Sequence, residues 1–134
     1  MKREIKFRAW DAETDEMIYP HEGGYRPHHQ WFTDENTIVY ANMQTGFSTT
    51  EIMQFTGLKD KNKTPIYEGD IVTYKWEDRK GEEVVNHVIK WENGRFLMCP
   101  IRSIVQTWNI HLHPYNEEAE VIGNVYESPE LVKP

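Results

Sequence analysis

The dipeptide Asn93-Gly94 constrains this chain more than any other feature, because it sits between two apolar runs, Val84–Trp91 and Phe96–Met98. Both residues tolerate the left-handed backbone that a two-residue hairpin turn of matching twist requires. Such a turn fixes the register: Trp91 opposes Phe96, Lys90 opposes Leu97, and Ile89 opposes Met98. Trp91, Phe96, Ile89 and Met98 then share one face, expected to be the core side with both rings turned inward. A slip of one residue would turn all four to the opposite side. The kinds of apolar residue also favour sheet. Isoleucine and valine together number 20, against four leucines and four alanines, beside five tryptophans and seven tyrosines. Branched and aromatic side chains suit a pleated surface, and the strong helix formers are scarce.

Further strands follow from the two-residue period. Glu4–Trp10 places Ile5, Phe7 and Ala9 on one face and Lys6, Arg8 and Trp10 on the other, the pattern of a half-buried strand. Asp11–Asp15 is a polar turn, with Met17-Ile18-Tyr19 as the return strand. Pro20–Gln30, with Gly23-Gly24 and Pro27, is a loop by composition. Thr37–Asn42 and Ile52–Thr56 are further strands. Residues 59–65 form a charged connector ending in Pro65, taken as the seam between an N-terminal β region, 1–58, and a compact C-terminal unit, 66–134. In that unit Gly69-Asp70 turns into Ile71–Trp76, whose Val72, Tyr74 and Trp76 share a face. A loop at Lys80-Gly81 leads into Val84–Trp91. Residues 101–112 fit a short helix through Ile101, Ile104, Val105 and Trp108, and fit a strand nearly as well. A helical piece running into an extended one is the preferred reading. Glu120–Tyr126 closes the sheet, with Gly123 marking a bulge or a close backbone approach. Ser128-Pro129-Glu130-Leu131 reads as a capped helical turn.

The expected fold is therefore mainly β: an N-terminal β hairpin and sheet region plus a small Src-homology-3-like barrel with one short helical segment. With 134 residues the chain fits a single domain able to bury its own core. Its net charge of −7 disfavours unaided wrapping of a phosphate backbone. No uninterrupted apolar centre of a signal peptide and no run of about 20 apolar residues is present, so the chain is expected to stay where it is made, in the cytoplasm.

Three ordered stretches resemble the YopX family of phage and prophage proteins. The first is Lys6-Phe7-Arg8-Ala9-Trp10-Asp11, with Met17-Ile18-Tyr19 after it. The second is Gln54-Phe55-Thr56-Gly57-Leu58-Lys59-Asp60-Lys61-Asn62, continued by Ile66-Tyr67-Glu68-Gly69-Asp70-Ile71-Val72. The third runs from Val121 to Leu131. One departure is Lys63, where the pattern leads one to expect glycine. The resemblance implies a phage-borne, self-associating accessory protein and transfers no catalytic residue.

Each group of residues that could carry chemistry also has an ordinary structural role open to it. His21, His28, His29, His111 and His113 lack the spacing and the cysteine partners of a zinc site. His87 shares the face of Ile89 and Trp91 and reads as a hydrogen-bonded histidine at a core edge. Cys99, the lone cysteine, reads as a small core filler. Glu117, Glu118, Glu120, Glu127 and Glu130 read as a solvated acidic face. No catalytic residue, cofactor or metal ligand is assigned. Trp10, Tyr25, Trp31 and Phe32 exceed what the outer face of a small sheet carries and suit either a protein interface or core packing. Lys6, Arg8 and Trp10, together with Lys59, Lys61 and Lys63, form the candidate partner or nucleic-acid surface. The expected function is a non-enzymatic accessory protein acting through protein contacts, as a homo-oligomer or with a host or phage protein. A nucleic-acid-binding module using the first strand and the connector lysines is the alternative.

Overall fold

The computed structural model describes residues 6–12, 15–19, 29–33, 38–42, 46–47, 51–79, 81–101 and 108–132. The chain divides into two compact units, residues 6–53 and residues 54 onward. In the first, β1 (Phe7–Asp11) and β2 (Glu16–Ile18) make the expected hairpin, with Ala9 opposite Ile18 and Trp10 opposite Met17. A separate antiparallel sheet holds β3 (His29–Thr33), β4 (Ile38–Asn42) and β5 (Gly46–Phe47). Trp31 and Phe32 lie on β3; Tyr25 and the Gly23-Gly24 pair lie outside the described residues.

The second unit begins within β6 (Glu51–Lys59), which pairs with β7 (Pro65–Tyr67). Then come β8 (Asp70–Asp78), β9 (Gly81–Glu92), β10 (Arg95–Pro100), β11 (Ile110–His111), the short helical turn α1 (Leu112–Tyr115) and β12 (Glu120–Asn124). These five strands form one antiparallel sheet in the order β11-β10-β9-β8-β12, curled as a half-barrel. The fold is mainly β, as the composition implies. Among the described residues β11 and β12 are not bonded to each other, so the half-barrel stays open along that seam.

The Asn93-Gly94 turn has the backbone its residues allow, with φ of 52° and 79°. Trp91 opposes Phe96, Lys90 opposes Leu97 and Ile89 opposes Met98, the register derived from the turn. Ile89 and Met98 are buried in a core that also contains Ile66, Val72, Tyr74, Ile110, Leu112 and Ala119. Burying each of the larger of these side chains is worth about 1.5–3 kcal/mol. Trp91 departs from its expected inward position: it is 47% exposed. It is the last core-side residue of β9 before the turn, so its ring overhangs the core instead of entering it. It still packs on Phe96, ring centroids 4.6 Å apart.

Residues 102–107 lie outside the described residues. The helical piece expected over 101–108 falls mostly on them, the extended piece expected after it is β11, and the helical turn α1 that follows β11 was not expected. Pairing with β10 explains this, because Ile110 and His111 bond opposite Met98 and Leu97 before the chain turns. At the last strand Gly123 marks the expected bulge, and what approaches it closely is a side chain, not another backbone. The register shifts between Val121 and Gly123, and a Cβ at Gly123 would stand 2.9 Å from the Ser128 Cβ. The helical turn Pro129–Leu131 forms, yet the Ser128 side chain gives it no capping bond.

Candidate functional site

The stretch expected to be a connector is instead the tip of the β6–β7 hairpin. Gly57, at φ +84°, lies where the ladder shifts register between Phe55 and Lys59. The Thr56 hydroxyl holds the shift by donating to the Ile66 carbonyl at 2.7 Å and accepting the Leu58 N–H at 3.1 Å. At the tip, Asp60 is only 3% exposed, and three main-chain donors meet its carboxylate. Oδ1 accepts the N–H groups of Asn62 at 2.8 Å and Thr64 at 2.9 Å, and Oδ2 accepts that of Val121 at 2.9 Å. The last bond spans 61 positions and joins the tip to the edge strand β12. Lys61 N–H adds a bond to the Ala119 carbonyl at 2.9 Å. The tip thus covers part of the free edge of the half-barrel, a common protection against stray strand pairing. Lys63 takes a left-handed backbone, φ +67°, where the sequence pattern leads one to expect glycine.

The other two motif turns are built in the same way. Asp70 is buried and accepts the Tyr67 N–H at 2.8 Å, while Gly69, at φ +82°, bonds both the Ile89 carbonyl and the Val125 N–H. Asn124 Oδ1 accepts the N–H groups of Tyr126 and Glu127 at 3.0 and 2.8 Å. Short polar side chains that satisfy nearby backbone in this way are the ordinary makers of turns. Within this unit, the motifs behind the family resemblance build the fold.

The six candidate surface residues belong to different units and differ in burial. Arg8 is a correction: it is 2% exposed, not on a solvent-facing strand. β1 is covered on both faces, since Ala9 is also buried while Phe7 and Trp10 are half-buried. Lys6 is half-buried and engaged. Lys59, Lys61 and Lys63 do come together, lining a shallow depression of about 550 Å³ with Gly57, Leu58, Asp60, Asn116 and Glu117. Lys61 pairs with Glu120 at 3.4 Å, both side chains well exposed. The depression thus combines three lysines with Asp60 and Glu117, and Glu120 pairs with Lys61, so little net charge remains. The Asn116 amide donates to the Lys59 carbonyl at 2.8 Å and ties α1 to this hairpin.

The remaining candidates have structural surroundings. His87 is fully buried with its ring edge toward Tyr74, centroids 6.2 Å apart. Arg95 Nη1 donates to His111 Nε2 at 2.9 Å, which assigns the proton of that imidazole to Nδ1. Cys99 is half-buried on β10, and burial pushes its thiol above the ordinary cysteine range, which disfavours the reactive thiolate. Among the described residues no three His, Cys, Asp or Glu side chains are grouped as metal ligands would be.

Sequence reading missed a set of rings on the core side of the sheet. Tyr74 meets Tyr115 edge-on, and Trp76 meets Trp108, each with centroids 5.5 Å apart. Such pairs add about 0.5–1.5 kcal/mol each beyond area burial. Their outer members remain open: Trp108 is 50% and Tyr115 37% exposed. Beside Tyr74, burial and the neighbouring Glu118 both raise the phenol above its usual range. The spacing of Tyr74 and Trp76 was readable; the partners arriving from the far side of β10 were not.

Comparison with known proteins agrees with the motif resemblance. Protein EF1440 from Enterococcus faecalis is similar in structure, with a TM-score of 0.62 and 28% identity over 98% of this chain and 100% of that one. Protein yopX from Bacillus subtilis shares the fold at a TM-score of 0.55 and 20% identity, with 96% of each chain covered. No curated protein matches. The family model described as YopX protein matches residues 6–133, and the chain therefore belongs to the YopX protein family.

Proposed function

We propose that this chain is a non-enzymatic phage or prophage accessory protein that acts in the bacterial cytoplasm through protein contacts, self-association among them. One observation carries the reading: two tryptophans on the core-lining side of the half-barrel, Trp91 and Trp108, are 47% and 50% exposed. Leaving such rings in water forgoes about 1.5–3 kcal/mol apiece, which a partner's surface recovers. Tryptophan is also the side chain most enriched among the residues that dominate binding energy. Light scattering on the purified chain tests self-association. A mass above the 16.0 kDa monomer is expected, falling toward the monomer in Trp91→Arg. A monomer at the highest soluble concentration, with no host or phage protein bound, would remove the reading.

The second reading, a nucleic-acid-binding module, draws on the convergence of Lys59, Lys61 and Lys63 on one depression. Its weak points are the burial of Arg8 and the carboxylates beside the three lysines. Titration with single- and double-stranded oligonucleotides at low salt tests it, and it requires binding that weakens steeply as salt rises.

A further inference from the structure

The depression at the β6–β7 tip is lined by a polar atom that the fold leaves unused. Asn116, directly after α1, belongs to the lining and is only 5% exposed. Its amide donates to the Lys59 carbonyl at 2.8 Å, a bond that sets which end of the amide is nitrogen. The buried Oδ1 accepts no hydrogen bond. An acceptor held out of water without a donor is costly, and a molecule in the depression can supply that donor. The charges around it divide into committed and uncommitted groups. Both oxygens of Asp60 are taken up by main-chain N–H groups, and Lys61 faces Glu120. Lys59 and Lys63 are exposed, with no ion pair among the described residues, and Glu117 is exposed next to Asn116 in sequence. Half-buried Leu58 adds an apolar surface to the lining.

We propose that this depression binds a small phosphate monoester that carries hydroxyl groups, the chemistry shared by sugar phosphates and ribonucleotides. The proposal is independent of the protein-contact reading. Its volume, about 550 Å³, is within the range of pockets that hold small molecules. Lysine ammonium groups act on phosphate as point charges, whereas a carboxylate ligand is matched best by the planar arginine fork, and no arginine is in the lining. A phosphate monoester carries close to two negative charges at neutral pH, which Lys59 and Lys63 balance. As a dianion that group offers no donor to Asn116, so the donor has to be a hydroxyl elsewhere on the ligand. The terminal torsion of asparagine is soft, and a small turn presents Oδ1 to it. A neighbouring hydroxyl donates to Glu117, as ribose hydroxyls do to the acidic side chain of dinucleotide sites. A nucleic-acid strand is a poorer match, because the uncommitted ammonium groups suffice for one phosphate and not for a run of them.

Calorimetric titration of the full chain with ribose 5-phosphate and with adenosine 5′-monophosphate tests the proposal. Methyl phosphate is the control ester without hydroxyls, and ribose is the control sugar without phosphate. Saturable binding of at least one hydroxylated ester is expected, about tenfold or more tighter than methyl phosphate, with none for ribose. Tighter binding of the nucleotide identifies a base resting on Leu58; binding of ribose 5-phosphate at least as tight identifies a sugar phosphate as the ligand. Lys59→Met and Lys63→Gly should each weaken the complex about tenfold. Both side chains are exposed, and melting temperatures no lower than the parent's would show that the variants fold. No saturable binding at about 10 mM of either ester overturns the proposal. Equal binding of methyl phosphate overturns it too, as does binding that survives both lysine substitutions. An oligoribonucleotide that binds these residues more tightly than either ester overturns it in favour of the strand-binding reading.

Discussion

Replacing Asp60 is the most informative single perturbation of this fold. Asp60→Ala removes the acceptor of three main-chain N–H groups, those of Asn62, Thr64 and Val121, all within 2.8–2.9 Å of the carboxylate. A hydrogen bond to a charged group contributes about 1.5–3 kcal/mol, so three give an upper bound of roughly 4–9 kcal/mol. Asn62 and Thr64 are exposed, and water can take over their donors once the side chain is gone. Val121 is half-buried and packs on the core, so its donor loses more. The expected loss is therefore about 3–5 kcal/mol, the range seen when one member of a buried charged network is removed. For a chain of this length that is a fall of roughly 10–20 °C in melting temperature. Asp60→Asn is the sharper variant, being nearly the same size. Its single oxygen cannot serve both sides of the carboxylate, so at least one N–H must face an amide NH2, and more than half of the alanine penalty should remain. Urea unfolding of the three proteins, followed by tryptophan fluorescence, measures the difference from the midpoints. An Asn variant as stable as the parent, or an Ala variant within about 1 kcal/mol of it, would refute the view that this carboxylate ties the hairpin to the sheet edge.

Other consequences are open to test by the same unfolding assay. Lys63→Gly should stabilise by about 0.5–1 kcal/mol, since relief of the left-handed backbone exceeds the entropy glycine adds to the unfolded chain, whereas Lys63→Ala should give no gain. Gly123→Ala should destabilise by about 1–3 kcal/mol through collision with the Ser128 side chain, and the penalty should shrink in a Ser128→Gly background. Burial raises Tyr74 and Cys99 above their ordinary values, so the folded chain holds both protons more tightly than the unfolded one. The linked stability is complete below their unfolded values, about 8.5 for cysteine and 10 for tyrosine, and is lost as pH rises through the folded values. Tyr74→Phe should accordingly flatten the alkaline loss of stability, and an unchanged slope would count against the buried phenol.

The parts of this fold readable from sequence are those that local chemistry decides. Asn93-Gly94 permits one turn of suitable twist, and that turn alone places Ile89 opposite Met98. Gly123 could be placed at a bulge because a lone glycine interrupts a strand pattern there, and the Ser128 side chain stands where a Cβ would be. What could not be read depends on distant chain. Asp60 looks like one more charge in a solvated stretch until Val121 arrives to meet it, and no periodicity encodes that meeting. Arg8 alternates as a solvent-facing residue should, yet cover on both faces of β1 overrides the pattern. Trp91 has the parity of a core residue, but parity does not say where along the strand the core ends. Of the candidate site, the three connector lysines were legible as a group because they alternate about one turn. The ring pairs at Tyr115 and Trp108 were not, since their partners on β8 come from more than 30 positions away.

The functional account turns on which surface meets other molecules, and a concentration series of amide and indole NMR spectra measures that directly. If the chain works through its open aromatic side, the signals that move as concentration rises will be those of Trp91, Phe96 and Trp108, with the Lys59–Lys63 turn unchanged. Movement confined to that turn, or spectra that do not depend on concentration and shift at the lysines when an oligonucleotide is added, would contradict it.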